Sequence, residues 1–490
     1  MVVELAHRTE HRLDPDPGRV IAQLFVPGEE QPGSRSRADG VVARILALSE
    51  EEVKELATSV VDDFRGRHRD LTRAFSDNFA VVDQNRLGPR RLSAERRMLI
   101  GASFTKEYAP EGAALFNPSM VAHPDQSMLA PAEVRFLLAI RCLGEGHISS
   151  VGFRTGIVGP GSTLRVDATS PLLGTGSTHP TAYLQRNAFL ARLADLRADT
   201  DDAEALICDL PETFTPGQLQ DRMTATHRHT RHRRRGQDAV DMIARVAAAT
   251  YNVEFAYDTA VSERLLWPHA PLETNGMEDA RLVRLVDDDG DVTYYATYTA
   301  FDGVNIASQM FATKDFRQFH VSPVAGPAAQ NKGMALFPRR VGGRYAALSR
   351  WDRESTSICL SDDLRIWTES IPLHQPRHGW EVIQVGNCGP PIETPQGWLV
   401  LTHGVGPMRV YGIGALLLDL ADPSVMRATL PYPLLTPNTA ERDGYVPNVV
   451  YSCGALLHDG VLTIPYGIGD RATGIAQAHL SELLGHMDAA

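Results

Sequence analysis

A short pattern occurs twice in the second half of this chain, and its spacing restricts the fold more than any other feature. Residues 312–319 (Ala-Thr-Lys-Asp-Phe-Arg-Gln-Phe) and 360–367 (Leu-Ser-Asp-Asp-Leu-Arg-Ile-Trp) share the form [ST]-x-D-[FL]-x-x-[FW], with Asp315 and Asp363 standing 48 positions apart. A weaker third copy, Leu418-Asp419-Leu420-Ala421-Asp422-Pro423, follows. Short β-type runs surround each copy, and many of the chain's 40 Gly and 31 Pro sit between them. A period of roughly 40 to 55 residues among many strands and turns is the signature of propeller blades. Each blade is a four-stranded sheet that buries its faces only against its neighbours, so the copies must stand side by side. The stretch from about 115 to 486, less one helical interruption, has room for about five or six of them.

The rest of the chain reads differently. Residues 1–110 form an N-terminal extension that is largely helical, and 111–490 form the β domain. Within the extension, residues 28–40 read as a loop. Ser49 is an N-cap with Glu52 as its capping-box partner and Glu50 and Glu51 in the first turn. Val53, Leu56, Val60 and Phe64 then follow as an apolar helical stripe, with Leu71, Phe75 and Phe79 extending it or starting a second helix. A helical insertion at about 186–252 breaks the β pattern. Its second half carries Val240, Ile243, Val246 and Ala247 at helical spacing, after a basic run at 227–235. That run reads as an exposed helix face or subunit contact, with an anionic ligand as the alternative. The net charge of −12 and the lack of interleaved aromatics exclude nucleic acid as the expected partner. A homo-oligomer stays open.

Hydrophobic residues at 43% and charged ones at 22% describe a soluble globular protein. The five cysteines show no CxxC spacing, so no zinc cluster, other metal site or disulfide framework is expected. No run is long and apolar enough to span a membrane, and the first residues lack a secretory apolar segment. The expected location is the cytoplasm.

The chemistry-bearing residues are scattered at blade-like intervals. Asn275-Gly276-Met277-Glu278-Asp279-Ala280-Arg281 packs two carboxylates and a guanidinium just before an apolar strand. On a paired strand, Glu278 and Asp279 are expected to point to opposite sides. Asn331 and Lys332 precede another strand; Glu393 sits in a Gly/Pro loop; His403, Tyr466 and Asp470 follow. Glu145, His147 and Arg154 are further polar groups near a strand start. A propeller channel would gather such residues into one acid, two or three cations and a histidine, which suits attack by an anion while an acid assists the leaving group.

Taken in order, these motifs resemble glycoside hydrolase family 130, the β-mannoside phosphorylases and β-mannosidases. The resemblance rests on Asn117-Pro118-Ser119, Glu278-Asp279-Ala280-Arg281, Lys332 before Leu336-Phe337-Pro338, and Pro390-Pro391-Ile392-Glu393-Thr394 with Gly397-Trp398. It continues through His403-Gly404-Val405, Leu417–Leu420, Val446-Pro447-Asn448-Val449-Val450, and Tyr466-Gly467 with Asp470. It implies an all-β fold, a five-bladed β-propeller, here with the helical extension and insertion added. It also implies inverting phosphorolysis of short β-mannosides to α-mannose 1-phosphate, with no cofactor and inorganic phosphate as co-substrate. Asp279 would be the proton donor, acting through a hydroxyl of the mannosyl ring, and Arg281, Lys332 and His403 would bind phosphate. Asn117, Glu278, Asn331, Glu393, Tyr466 and Asp470 would contact the oligosaccharide. One departure stands out: phosphorylases of the family commonly carry an Arg where this chain has Val304-Asn305-Ile306-Ala307-Ser308. Arg154 or Arg350 could supply the missing cation. Otherwise water would be the nucleophile and Glu393 the base of an inverting β-mannosidase, or the propeller would bind mannosides without turnover.

Overall fold

The repeated pattern turns out to be one turn used in successive sheets. In the computed structural model, which describes residues 5–28, 36–86, 91–198, 201–230 and 234–490, Thr313 Oγ1 accepts from the amides of Asp315 and Phe316, and Asp315 Oδ1 accepts from those of Arg317 and Gln318. Ser361 and Asp363 repeat the arrangement. In the third copy Asp419 accepts from the amides of Ala421 and Asp422. Side chains that bond the backbone two residues on make a compact turn without help from elsewhere. Each such turn joins the last two strands of a sheet: Ile306–Thr313 to Gln318–Pro323, Thr356–Ser361 to Glu369–His374, and Tyr411–Leu418 to Met426–Thr429.

Five antiparallel modules follow one another along the chain. The first is built on Ala114–Ala122, Val134–Leu143 and Ser149–Val158. The second runs Gly276–Val286, Val292–Phe301, Ile306–Thr313 and Gln318–Pro323. A single parallel pair, Gly276 with Ser149, joins these two into a larger sheet. The third runs Ala335–Leu336, Tyr345–Ser349, Thr356–Ser361 and Glu369–His374. The fourth centres on Gly397–Val405 and Tyr411–Leu418. The fifth centres on Val461–Ile468 and Ala472–His479, and its outer strand is His7–Leu13, from the far end of the chain.

The apolar clusters lie between modules, as the repeat requires. Val283 and Met310 of the second module pack with Leu336, Ala347 and Trp367 of the third. Phe337, Leu348 and Ile358 of the third pack with Trp398, Val400 and Leu416 of the fourth. Trp367 and Trp398 are fully buried, so truncating either would cost about 3–5 kcal/mol.

Two compact units emerge, and their bounds differ from the expected division at residue 110. Residues 1–15 belong to the larger unit, because the strand His7–Leu13 completes its last sheet; the smaller unit is 16–112 with 170–175. In the smaller unit Ile21–Leu24 pairs with Thr105–Tyr108 beside four helices. The capping box at Ser49 and Glu52 is present. The stripe it opens is not the expected one: Val53 and Ala57 are buried, while Leu56 and Phe64 are exposed. Leu71 and Phe75 lie on a separate helix, Leu71–Arg86. Part of the expected loop at 28–40 is also helical, from Arg37 with Ser36 as its cap; residues 29–35 lie outside the described residues, as do the side chains of the whole basic run at 227–235. The helical insertion belongs to the larger unit, with Ile243 and Val246 in its core as their spacing required. Among the described residues no helix is long and apolar enough to cross a membrane.

Candidate active site

Glu278 and Asp279 do not alternate across their strand. The pairing of Gly276–Val286 with Val292–Phe301 skips between Glu278 and Arg281, and Asp279 takes a φ of +57°. This bulge turns both carboxylates toward one guanidinium. Arg141 Nη2 donates to Glu278 Oε1 at 2.7 Å and Nη1 to Asp279 Oδ1 at 3.2 Å. The first module has a matching irregularity between Phe116 and Ser119, where Asn117 has a φ of +49°. Its Nδ2 donates to Asp279 Oδ1 at 2.9 Å. A left-handed backbone at a residue other than glycine costs energy and persists only where the surroundings enforce it. Here Ser119 Oγ accepts from the Leu282 amide, and the Cys453 amide donates to the Pro118 carbonyl. Gly467 leaves room for this loop, since a Cβ there would lie 2.8 Å from Asn117 Oδ1.

Cations from the second and third modules complete the group. Lys332 Nζ donates to the second Glu278 oxygen at 2.5 Å. Its loop is anchored by Ser308, whose hydroxyl donates to the carbonyls of Ala329 and Asn331 at 2.5 and 3.1 Å. Arg281 is deeply buried and bonded to Asn387, through both its carbonyl and its side-chain oxygen, and to the Tyr451 hydroxyl. Arg350 Nη1 donates to His403 Nε2 at 3.0 Å, and the other His403 nitrogen faces the Asn387 carbonyl at 3.1 Å. The partners settle the ring's state: Nε2 must accept from Arg350, so His403 is neutral with its proton on Nδ1. Burial first, then the charges of Arg350 and Arg281, push its pKa well below the ordinary histidine value, in agreement. His403 is therefore not one of the cations; it orients Arg350. Gly386 permits the pair to close, because a Cβ there would meet both side chains.

The two aspartates of the site titrate in opposite directions. Burial raises the Asp279 pKa, but Arg141, then Lys332, the Asn117 amide and Arg281 outweigh it and hold the carboxyl below the usual range. Asp470, with a φ of +50°, is pushed up to about 6 by burial and then by the charges of Asp279 and Glu278. Two carboxyls driven apart in this way divide the work of holding and giving up a proton. Among the described residues, Asn117 Oδ1 and Arg350 Nε are buried polar atoms with no hydrogen-bond partner.

Several expected site residues lie elsewhere. Glu393 pairs with Arg339 at 2.7 Å in a half-exposed bridge beside Trp398, five residues along its strand from His403. At about 3.3 Å per residue this separates it from His403 by more than 15 Å. Tyr466 is buried in the core of the fifth module and donates to Glu441 at 2.6 Å, away from the carboxylates. The Asn331 side chain holds its own loop, donating to the Trp351 carbonyl and accepting from Arg353. His147 contacts Tyr445, and Arg154 is buried and donates to the Phe153 carbonyl. The segment 304–308 brings no cation, as read; Arg350 stands beside His403 instead. Arg141 was not anticipated from the sequence. Its only signal is a charge at the end of the apolar run Phe136–Ile140, at the level where the bulges occur.

Comparison with known proteins gives a consistent picture. Residues 232–489 match the model of glycoside hydrolase family 130, described as beta-1,4-mannooligosaccharide phosphorylase. A 1,2-beta-oligomannan phosphorylase of Thermoanaerobacter sp. (strain X514) is 35% identical over 218 residues, 43% of this chain and 71% of that protein. The beta-1,2-mannobiose phosphorylase of Listeria innocua is 32% identical over 231 residues, 46% of this chain and 63% of that protein. The matched segment thus spans about two thirds of each relative's length. The solved structure of the Listeria enzyme with beta-1,2-mannobiose overlaps 76% of this chain and 92% of that one, at 21% identity and a TM-score of 0.45.

Proposed function

The chain belongs to glycoside hydrolase family 130, and from that premise we propose that it cleaves short β-mannosides by inverting phosphorolysis, releasing α-mannose 1-phosphate. The five antiparallel modules are read as the blades of a five-bladed propeller, with Asn117, Asp279, Lys332, Arg350, His403 and Asp470 around its channel. One observation carries the choice of nucleophile. Lys332, Arg281 and Arg350 gather near Asp279, whereas Glu393, the base that the sequence offered for hydrolysis, is held elsewhere by Arg339. Clustered cations attract phosphate.

In this reading a phosphate oxygen attacks the anomeric carbon while the bond to the leaving sugar oxygen breaks. The departing oxygen takes a proton that originates on Asp279 and passes through a ring hydroxyl. Free Asp279 is held as a carboxylate by the same cations, among them Lys332 and Arg281, that would receive phosphate. Bound phosphate offsets the charges of Lys332 and Arg281, so that only Arg141 and the Asn117 amide still oppose burial and the Asp279 pKa moves up toward that of an acid. Asp470 supplies a neighbouring proton reservoir. Arg350, fixed by neutral His403, takes the place of the arginine absent at 304–308. The two relatives named for β-1,2-linked substrates favour that linkage. The test is incubation with β-1,2-, β-1,3- and β-1,4-mannobiose in phosphate buffer, assayed for mannose 1-phosphate. Production from at least one is expected, and no cleavage of any would overturn the reading.

A further inference from the structure

A cavity lies where the helical insertion packs on the outer strands of the second module, and it is lined by two arginines. Its volume is about 350 Å³, within the range that holds a small ligand. Arg192 and Arg365 line it together with the hydroxyl-bearing Thr213, Thr250 and Ser322, and no carboxylate belongs to the lining among the described residues. Arg192 is 5% exposed, and its Nε has no hydrogen-bond partner among the described residues. A buried guanidinium with an idle donor is costly unless a ligand completes it. Asp195 Oδ2 pairs with Arg192 Nη1 at 3.6 Å and accepts from the Gly326 amide at 2.9 Å, so the guanidinium has a counter-ion and its Nε alone is left over. Arg365 is held over the cavity by Gln185, and Tyr183 offers a largely exposed ring at the rim.

We propose that this cavity binds a phosphorylated monosaccharide: the two arginines receive the phosphate, the hydroxyls bond the sugar, and Tyr183 covers its apolar face. An Arg pair matches the paired oxygens of a phosphate, and hydroxyl and aromatic groups suit a hexose ring. None of these residues belongs to the phosphorolysis site, so the proposal stands independently of that reading.

The test is calorimetric titration of the full chain with glucose 6-phosphate, which is not a product of the proposed reaction, and with inorganic phosphate. One binding event with glucose 6-phosphate is expected. Arg365→Glu, a change at a partly exposed position, should weaken it about tenfold or more, while Lys332→Ala leaves it unchanged. Phosphorolysis by the Arg365→Glu protein without added ligand should match the parent. Absence of binding would overturn the proposal, as would binding lost in Lys332→Ala but kept in Arg365→Glu. Inorganic phosphate binding the Lys332→Ala protein as tightly as the sugar phosphate does would overturn the assignment of a sugar.

Discussion

Two arginine–carboxylate pairs in the same β unit have the same separation and different consequences. Arg141 meets Glu278, and Arg339 meets Glu393, each at 2.7 Å. The first pair is largely buried, at 16% and 10% side-chain exposure; the second is open to water, at 40% and 43%. Exposed pairs contribute little, because solvent screens them and two long side chains must be ordered. Breaking a buried pair leaves an uncompensated charge, which is costly, and charges so placed control one another's protonation. Burial and the convergence of strained loops, rather than the presence of a carboxylate near a cation, separate the candidate site from the surface.

The largest expected effect is on chemistry. Asp279→Asn keeps the size and the Asn117 contact but removes the acid, and should lower kcat/KM by about 10³-fold or more with the fold intact. Retained turnover would dissolve the distinction between the two pairs. Next comes stability. Arg141→Ala strands Glu278 and Asp279 and should cost about 3–5 kcal/mol by denaturant unfolding, against at most about 1 kcal/mol for Glu393→Gln. Equal losses would show that burial is not what distinguishes them. Arg350→Ala should raise the KM for phosphate by about tenfold or more, in keeping with loss of a charge-assisted contact, and leave the KM for the mannoside nearly unchanged. Glu393→Gln should not alter turnover at all.

Asp470 gives a smaller effect with a definite sign. Its folded pKa, about 6, lies above the ordinary aspartate value, so the folded chain binds the proton more tightly. Stability from this group is therefore full at low pH and falls as pH rises through about 6. Asp470→Asn should be nearly neutral near pH 4 and stabilising by up to about 3 kcal/mol at pH 8. A difference that does not vary with pH would remove the charge-crowding account.

Much of this was legible in the sequence. The [ST]-x-D turn is local chemistry, and it placed three strand junctions correctly because its hydrogen bonds need no distant partner. The capping box at Ser49 was legible for the same reason. What failed was alternation: the period-two rule sent Glu278 and Asp279 to opposite faces, and a bulge held by contacts from the first and fifth modules overrode it. Arg141 was invisible because its partners lie more than a hundred residues away. Glu393 and Tyr466 carried the right residue types, but their neighbours Arg339 and Glu441 had already claimed them. His403 was read as a phosphate ligand, and only the arrangement of Arg350 and Asn387 around it shows that it is neutral and orients Arg350.

The most direct test of the central claim is the fate of a β-mannobiose turned over with and without phosphate. If Lys332, Arg281 and Arg350 make phosphate the nucleophile, cleavage stops in phosphate-free buffer and each bond broken in its presence yields one α-mannose 1-phosphate. Free mannose released at the same rate in both buffers would contradict that claim and make water the nucleophile.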